Sequence, residues 1–312
     1  MATSSIEQGH AFGGAWTELK LSAVSYYFGF FTKVLKERSF DLWYIDAFAG
    51  SGTRTEQVSS GGLLEGRLEE VEQQELAGSV LKALDIEPPF KKLVFIEGHR
   101  GRFRELDAIR TANPDRHIEC RHGEANEQLQ QIFTSPPWSG QYGSKGKLRA
   151  VVFLDPYGMN VEWKTLELLA KTQSVDVWYL FPINAVTRQL AIDLDKVDKH
   201  KQRSLDSIFG TTDWRSELYA PRTNGDLFDM ITSRSDRDVG VHQIERYAQE
   251  RLGTIFRYVS EPLPLLANSR GHLFSLFCLS NSDSDRAVDL IKKGVAGVMK
   301  NYGPASHRRS CP

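Results

Sequence analysis

The chain has 312 residues, of which 40% are hydrophobic and 25% charged, and its formal net charge is −1. That composition is the ordinary one of a globular protein. The charge excludes a global attraction to polyanions, and no apolar run approaches the roughly 20 residues of a membrane span.

The opening segment, MATSSIEQGHAFGG, is polar and carries no signal-peptide core, so a cytoplasmic protein is expected. From Thr17 to about Arg38, Leu19, Ala23, Tyr26, Tyr27, Phe30, Phe31, Val34 and Leu35 recur at helical spacing, with Thr17 as N-cap. Lys20, Lys33, Lys36 and Arg38 fall on the polar faces of that helix, where solvated charge is the default. Leu42–Phe48 reads as a strand ending in a glycine turn. Residues 54–76 read as a polar surface loop, and a helix is expected over Gly78–Leu84.

Beyond it the pattern alternates. Strands are predicted at Lys91–Glu97, at HIECRHG, at Lys147–Asp155 and at Val175–Pro182. Helices are predicted at Arg102–Thr111, Ala125–Phe133 and Glu162–Lys171. Parallel strands need crossover helices, so this alternation implies a doubly wound, mostly parallel sheet. Residues 186–253 break it and are read as a helical cap over the sheet's active edge. GTIFRYVSEPLPLL and HLFSLFCLSN then read as two closing strands, giving seven in all, and Ser284–Tyr302 as the last helix. The expected map is a core over 1–185, the cap over 186–253, and the closing strand pair and helix of the same core over 254–312.

Four segments could carry chemistry. The first is Asp46-Ala47-Phe48-Ala49-Gly50-Ser51-Gly52-Thr53, after the first strand, where glycines let a backbone approach a ligand. In open α/β sheets, ligands sit beyond the carboxyl ends of the strands. An acidic residue, a phenylalanine and two glycines stand in the order seen in S-adenosylmethionine-dependent methyltransferases. Thr55 at the third glycine position departs from the dinucleotide fingerprint, which disfavours an oxidoreductase. The second is Glu97, placed to accept hydrogen bonds from ribose hydroxyls. The third is Glu124, which could face an adenine or simply begin a helix. The fourth is Asp155-Pro156-Tyr157-Gly158-Met159, similar to the substrate motif of amino-methylating enzymes but with one proline where those have two. A carboxylate that accepts the hydrogens of an amine or amide nitrogen would aim its lone pair at a methyl sulfonium, so positioning does most of the catalysis.

Cys120, Cys278 and Cys311 are far apart and are read as reduced, with no metal set. Lys292, Lys293, Lys300, Arg308 and Arg309 make the C-terminal end basic, a local hint of a phosphate-bearing partner such as nucleic acid.

Together these motifs resemble the three-Cys-motif partner proteins, a bacterial family. The resemblance covers roughly residues 14–220. It rests on Trp16-Thr17 with Lys20, on Tyr44–Gly52, on Phe95-Ile96-Glu97, on Phe153–Met159, and on Asp176–Pro182 followed by Arg188. It implies a Rossmann fold of the class I methyltransferase type with a helical insertion, and S-adenosylmethionine as cofactor. Lys20, Asp46, Phe48, Gly50, Gly52, Glu97 and Glu124 are the cofactor-binding candidates, and Asp155, Pro156 and Tyr157 the catalytic ones. The expected activity is methyl transfer to an amino or amide nitrogen, a nucleobase among the acceptors considered. The alternative is an accessory protein that serves a radical-type three-Cys partner.

Overall fold

The computed structural model describes residues 14–50, 78–139, 147–221, 235–237, 240–267 and 271–304. The elements run α1 (Gly14–Lys36), β1 (Asp41–Asp46), β2 (Lys92–Glu97), α2 (Arg100–Ala112), β3 (Ile118–His122) and α3 (Ala125–Thr134). Then come β4 (Leu148–Leu154), α4 (Trp163–Lys171), β5 (Val175–Phe181), α5 (Ile183–Gln189), α6 (Lys199–Phe209) and α7 (Trp214–Glu217). The chain closes with β6 (Tyr219–Pro221), β7 (Ser235–Arg237), α8 (Val241–Gly253), β8 (Tyr258–Val259), β9 (Leu263–Ala267), β10 (Gly271–Ser280) and α9 (Asp285–Tyr302). A helical segment at 78–84 precedes β2. The expected loop at 54–76 lies outside the described residues.

The main sheet has the order β3-β2-β1-β4-β5-β10-β8, with β9 also paired to β10. The first five strands are parallel and β10 runs antiparallel to β5. The sheet is therefore mixed and eight-stranded rather than seven-stranded. The segment expected as one strand before β10 is two, because Pro262 brings no N–H and interrupts the ladder between β8 and β9. β6 and β7 form a separate antiparallel pair.

Both faces of the sheet are covered, which is why β4 and β5 are apolar but for Arg149 and Asp176. Their side chains alternate between two cores. Ala150, Val152, Leu154, Val177, Tyr179 and Phe181 face a cluster that includes residues of α3, α4, α6 and α8. Val151, Phe153, Trp178 and Leu180 face the cluster built on α1 and α9. α1 spans several strands on that second face, with Tyr27 against Trp178 (5.1 Å between centroids) and Phe28 against Tyr44 (4.9 Å). The helix begins at Gly14, so Thr17 sits inside its first turn and is not the N-cap expected for it.

Candidate functional site

The alternation that builds the two cores also aims the site. Ile45 and Leu154 belong to the first core, so the next residues, Asp46 and Asp155, turn to the α1 face at the carboxyl ends of the neighbouring strands β1 and β4. Asp155 is 7% exposed, and its Oδ2 accepts a hydrogen bond from Lys20 Nζ at 2.7 Å. Lys20 is fully buried, its ammonium 5.3 Å from the centre of the Trp16 ring. This corrects the solvated polar face expected for Lys20. Along α1, Trp16, Val24, Tyr27, Phe28 and Phe31 are all buried. Lys20 falls on the stripe they form, four residues from both Trp16 and Val24. Helical spacing put a cation on the core face, and its charge masked the position.

Asp46 is fully buried. It accepts hydrogen bonds from the Tyr44 hydroxyl (3.2 Å), the Phe48 N–H (3.1 Å) and the Ser79 side chain. Burial pushes its carboxyl up to about 7, an effect only partly offset by those hydrogen bonds and reinforced by the neighbouring Asp155. Gly50 closes the turn after β1 with φ +66°, a left-handed conformation that favours glycine. Gly52 lies outside the described residues.

Past the ends of β1 to β4 a pocket of about 710 Å³ opens, and its described lining does not include Lys20, Asp46 or Asp155. That volume lies within the range of a small-molecule site. Phe48, Ile96, Glu97, Gly98, Gly123, Ala125, Tyr157 and Met159 are among its lining residues. Glu97 is 6% exposed and accepts the His99 N–H at 2.6 Å, while its other oxygen takes no hydrogen bond from a described residue. His99 caps α2, its ring accepting from the Arg102 N–H.

Glu124 lines the pocket too, but both its oxygens are engaged. One accepts from the Glu127 N–H at 3.0 Å and the other from Asn126 Nδ2 at 2.7 Å. Of the two roles open to it in the sequence, it performs the helix-starting one, and each oxygen keeps a further lone pair on the pocket wall. Pro156 is buried at the β4 end. The Tyr157 hydroxyl accepts from Arg102 Nη1 at 2.7 Å, which holds the ring on the pocket wall.

The far wall comes from α6, through His200, Arg203, Ser204 and Ser207. The helix is anchored from its other side by Leu205, Ile208 and Phe209, which join the sheet core. Its C-cap, Gly210, has φ +66°, and a Cβ there would lie 2.1 Å from Trp163 Cγ, so only glycine lets α6 close onto α4. Neither Arg102 nor the α6 residues were singled out from the sequence. A basic helix start and an amphipathic charged helix are indistinguishable from solvated surface until the fold sets them across a pocket.

No protein-family model and no curated protein matches the chain. Among solved structures, it is similar to protein LPL1258 from Legionella pneumophila, at 13% identity over 94% of each chain and a TM-score of 0.46. It is also similar to the bifunctional kinase-methyltransferase WbdD, at 11% identity over 88% of this chain and 43% of that one, TM-score 0.41. The N-terminal domain of EvdMO1 with SAH bound matches at 9% identity over 89% and 86% of the two chains, TM-score 0.38. Likenesses this distant leave the functional reading to the chain's own residues.

Proposed function

We propose that the chain is an S-adenosylmethionine-dependent methyltransferase of the class I type that acts on an amino or amide nitrogen, a nucleobase among the acceptors that fit. The observation that carries this reading is the Asp155 carboxylate. It is held in a nearly dry site at the end of the central strand β4, two residues before Tyr157, which lines the pocket that also carries Glu97 and Phe48. The strand order, with one antiparallel strand set beyond β5, supports the class I assignment.

S-adenosylmethionine, when bound, supplies an electrophilic methyl group on a sulfonium. In this reading Glu97 holds the ribose hydroxyls through its unengaged oxygen, and Phe48, Ile96 and Ala125 offer the apolar wall for the adenine. Asp155 accepts the N–H groups of the acceptor through Oδ1, which takes no hydrogen bond from a described residue, while Lys20 fixes Oδ2. A carboxylate fixed in this way orients the nitrogen without having to take its proton first.

One observation favours the accessory reading, in which the chain serves a three-Cys-motif partner. Asp155 already has a fully buried cation as its partner, as a purely structural strand-end pair would. The two readings part on Asp155→Asn. For an enzyme, the affinity for S-adenosylhomocysteine, measured by calorimetry, should stay within about twofold. The single-turnover rate of labelled methyl transfer to pooled nucleic acid and protein should fall about 100-fold or more. Wild-type transfer by a folded Asp155→Asn protein overturns the mechanism. A wild-type protein that binds cofactor yet labels nothing favours the accessory role.

A further inference from the structure

We infer that the mouth of the pocket seats the phosphodiester backbone of a single-stranded nucleic acid along α6. The inference rests on the methyltransferase reading for what the pocket does, but its binding test does not. His200, Arg203, Ser204 and Ser207 follow the spacing i, i+3, i+4, i+7, and all four line the pocket. Their common face is fixed, because Leu205, Ile208 and Phe209 lock the opposite side of the helix into the core. Across the pocket stands the start of α2, with Arg102 on the wall and Arg100 exposed beside it. Two helix starts, each with its positive dipole end, flank one opening.

Each acid of the pocket is held by a described partner of its own, Glu97 and Glu124 keeping their charge. Glu97 takes the His99 N–H, Glu124 takes the Glu127 N–H and the Asn126 amide, and Glu162 pairs with Lys164 at 2.6 Å. Before α6, Asp193 and Asp198 accept backbone N–H groups as caps. Lys199, His200 and Arg203 make no side-chain ion pair with a described residue. A sulfonium cofactor is cationic overall, and its one carboxylate needs no more than one of these cations; the row of them suits a polyanionic partner. Tyr157 adds a ring inside the same pocket, which a base can stack on and an acidic peptide has no use for. A net charge of −1 over the chain means that this basicity is local.

The test is fluorescence anisotropy with labelled single-stranded RNA and DNA of about 12 nucleotides, within the roughly 4–16 that a single-strand site spans. Titrations over a range of salt compare the wild type with Lys199→Gln/Arg203→Gln, and thermal melts check that the variant folds. The expected result is salt-dependent binding by the wild type, and in the variant a dissociation constant raised about tenfold at low salt. The slope of log K against log salt should be shallower by about 1.4, since each phosphate contact on a single strand contributes about 0.7. Absent binding at low salt, or an unchanged constant and slope in the folded variant, overturns the inference. So does a poly-glutamate peptide that binds as tightly as the oligonucleotides and is lost equally in the variant. Calorimetry with S-adenosylhomocysteine runs beside it. Failure there with oligonucleotide binding intact removes the methyltransferase reading and leaves the nucleic-acid surface standing.

Discussion

The two halves of the candidate site are built on opposite principles. Lys20, Asp46 and Asp155 are sealed between α1 and the sheet, whereas Glu97, Phe48, Tyr157 and the α6 stripe surround an open pocket of about 710 Å³. In the sealed half, electrostatic interactions are strong and unforgiving, because little water screens them. In the open half, side chains are tied to backbone or to one another and keep room for a ligand. A charge left without its partner in the first should cost stability; one lost from the second should mainly change what the protein binds.

The largest effect is expected from Lys20→Met. It leaves the Asp155 carboxylate buried without its cation, a loss of about 3–5 kcal/mol that denaturant unfolding would register. Lys20→Met/Asp155→Leu should recover much of it, since removing both charges removes the uncompensated one. If Lys20→Met proves neutral, the sealed half is wet and the contrast fails.

Next comes Gly210→Ala. A left-handed residue costs about 1–2 kcal/mol when it is not glycine, and overlap with Trp163 adds about 1–3. The expected loss is roughly 2–5 kcal/mol, with weaker S-adenosylhomocysteine binding because the α6 wall shifts. Intact affinity in the destabilised protein would separate α6 from the pocket.

On the open side, Glu97→Ala should weaken S-adenosylhomocysteine by about 1–3 kcal/mol, the value of charge-assisted hydrogen bonds. Stability should fall by no more than about 1 kcal/mol, the weight of the lost hydrogen bond to His99. Unchanged calorimetric affinity would remove Glu97 from the cofactor set.

The subtlest effect is a pH slope. Asp46 has its carboxyl raised to about 7 in the folded chain, so between the ordinary carboxylate range and that value the folded state binds more protons than the unfolded one. Its contribution to stability therefore falls as pH rises through this window. Asp46→Asn has no such slope, and its melting temperature relative to wild type should be higher at pH 8 than at pH 5. Parallel profiles for the two proteins would mean that Asp46 is not desolvated.

Much of the fold was legible because periodicity reports it. The expected strand Lys147–Asp155 and the observed β4 differ by one residue at each end, as do the expected Lys91–Glu97 and β2 at their start. Asp155 and Glu97 were legible for the same reason: the end of an apolar strand is a place that can be read off a sequence. Lys20 was not, because a lysine in an amphipathic helix is solvated unless another element supplies a carboxylate, and that carboxylate lies 135 positions away.

By itself, then, the sequence determined where strands and helices lie, through the repeat of apolar residues at two and at 3.6. It also determined which acidic residues end β1, β2 and β4. Only the tertiary structure decided which charges are buried together and which face an open pocket, because desolvation and pairing depend on neighbours distant along the chain. It turned Lys20 from a surface cation into the partner of Asp155. It gave Glu124 a helix start to cap, and it set the basic face of α6 on the same pocket as Arg102.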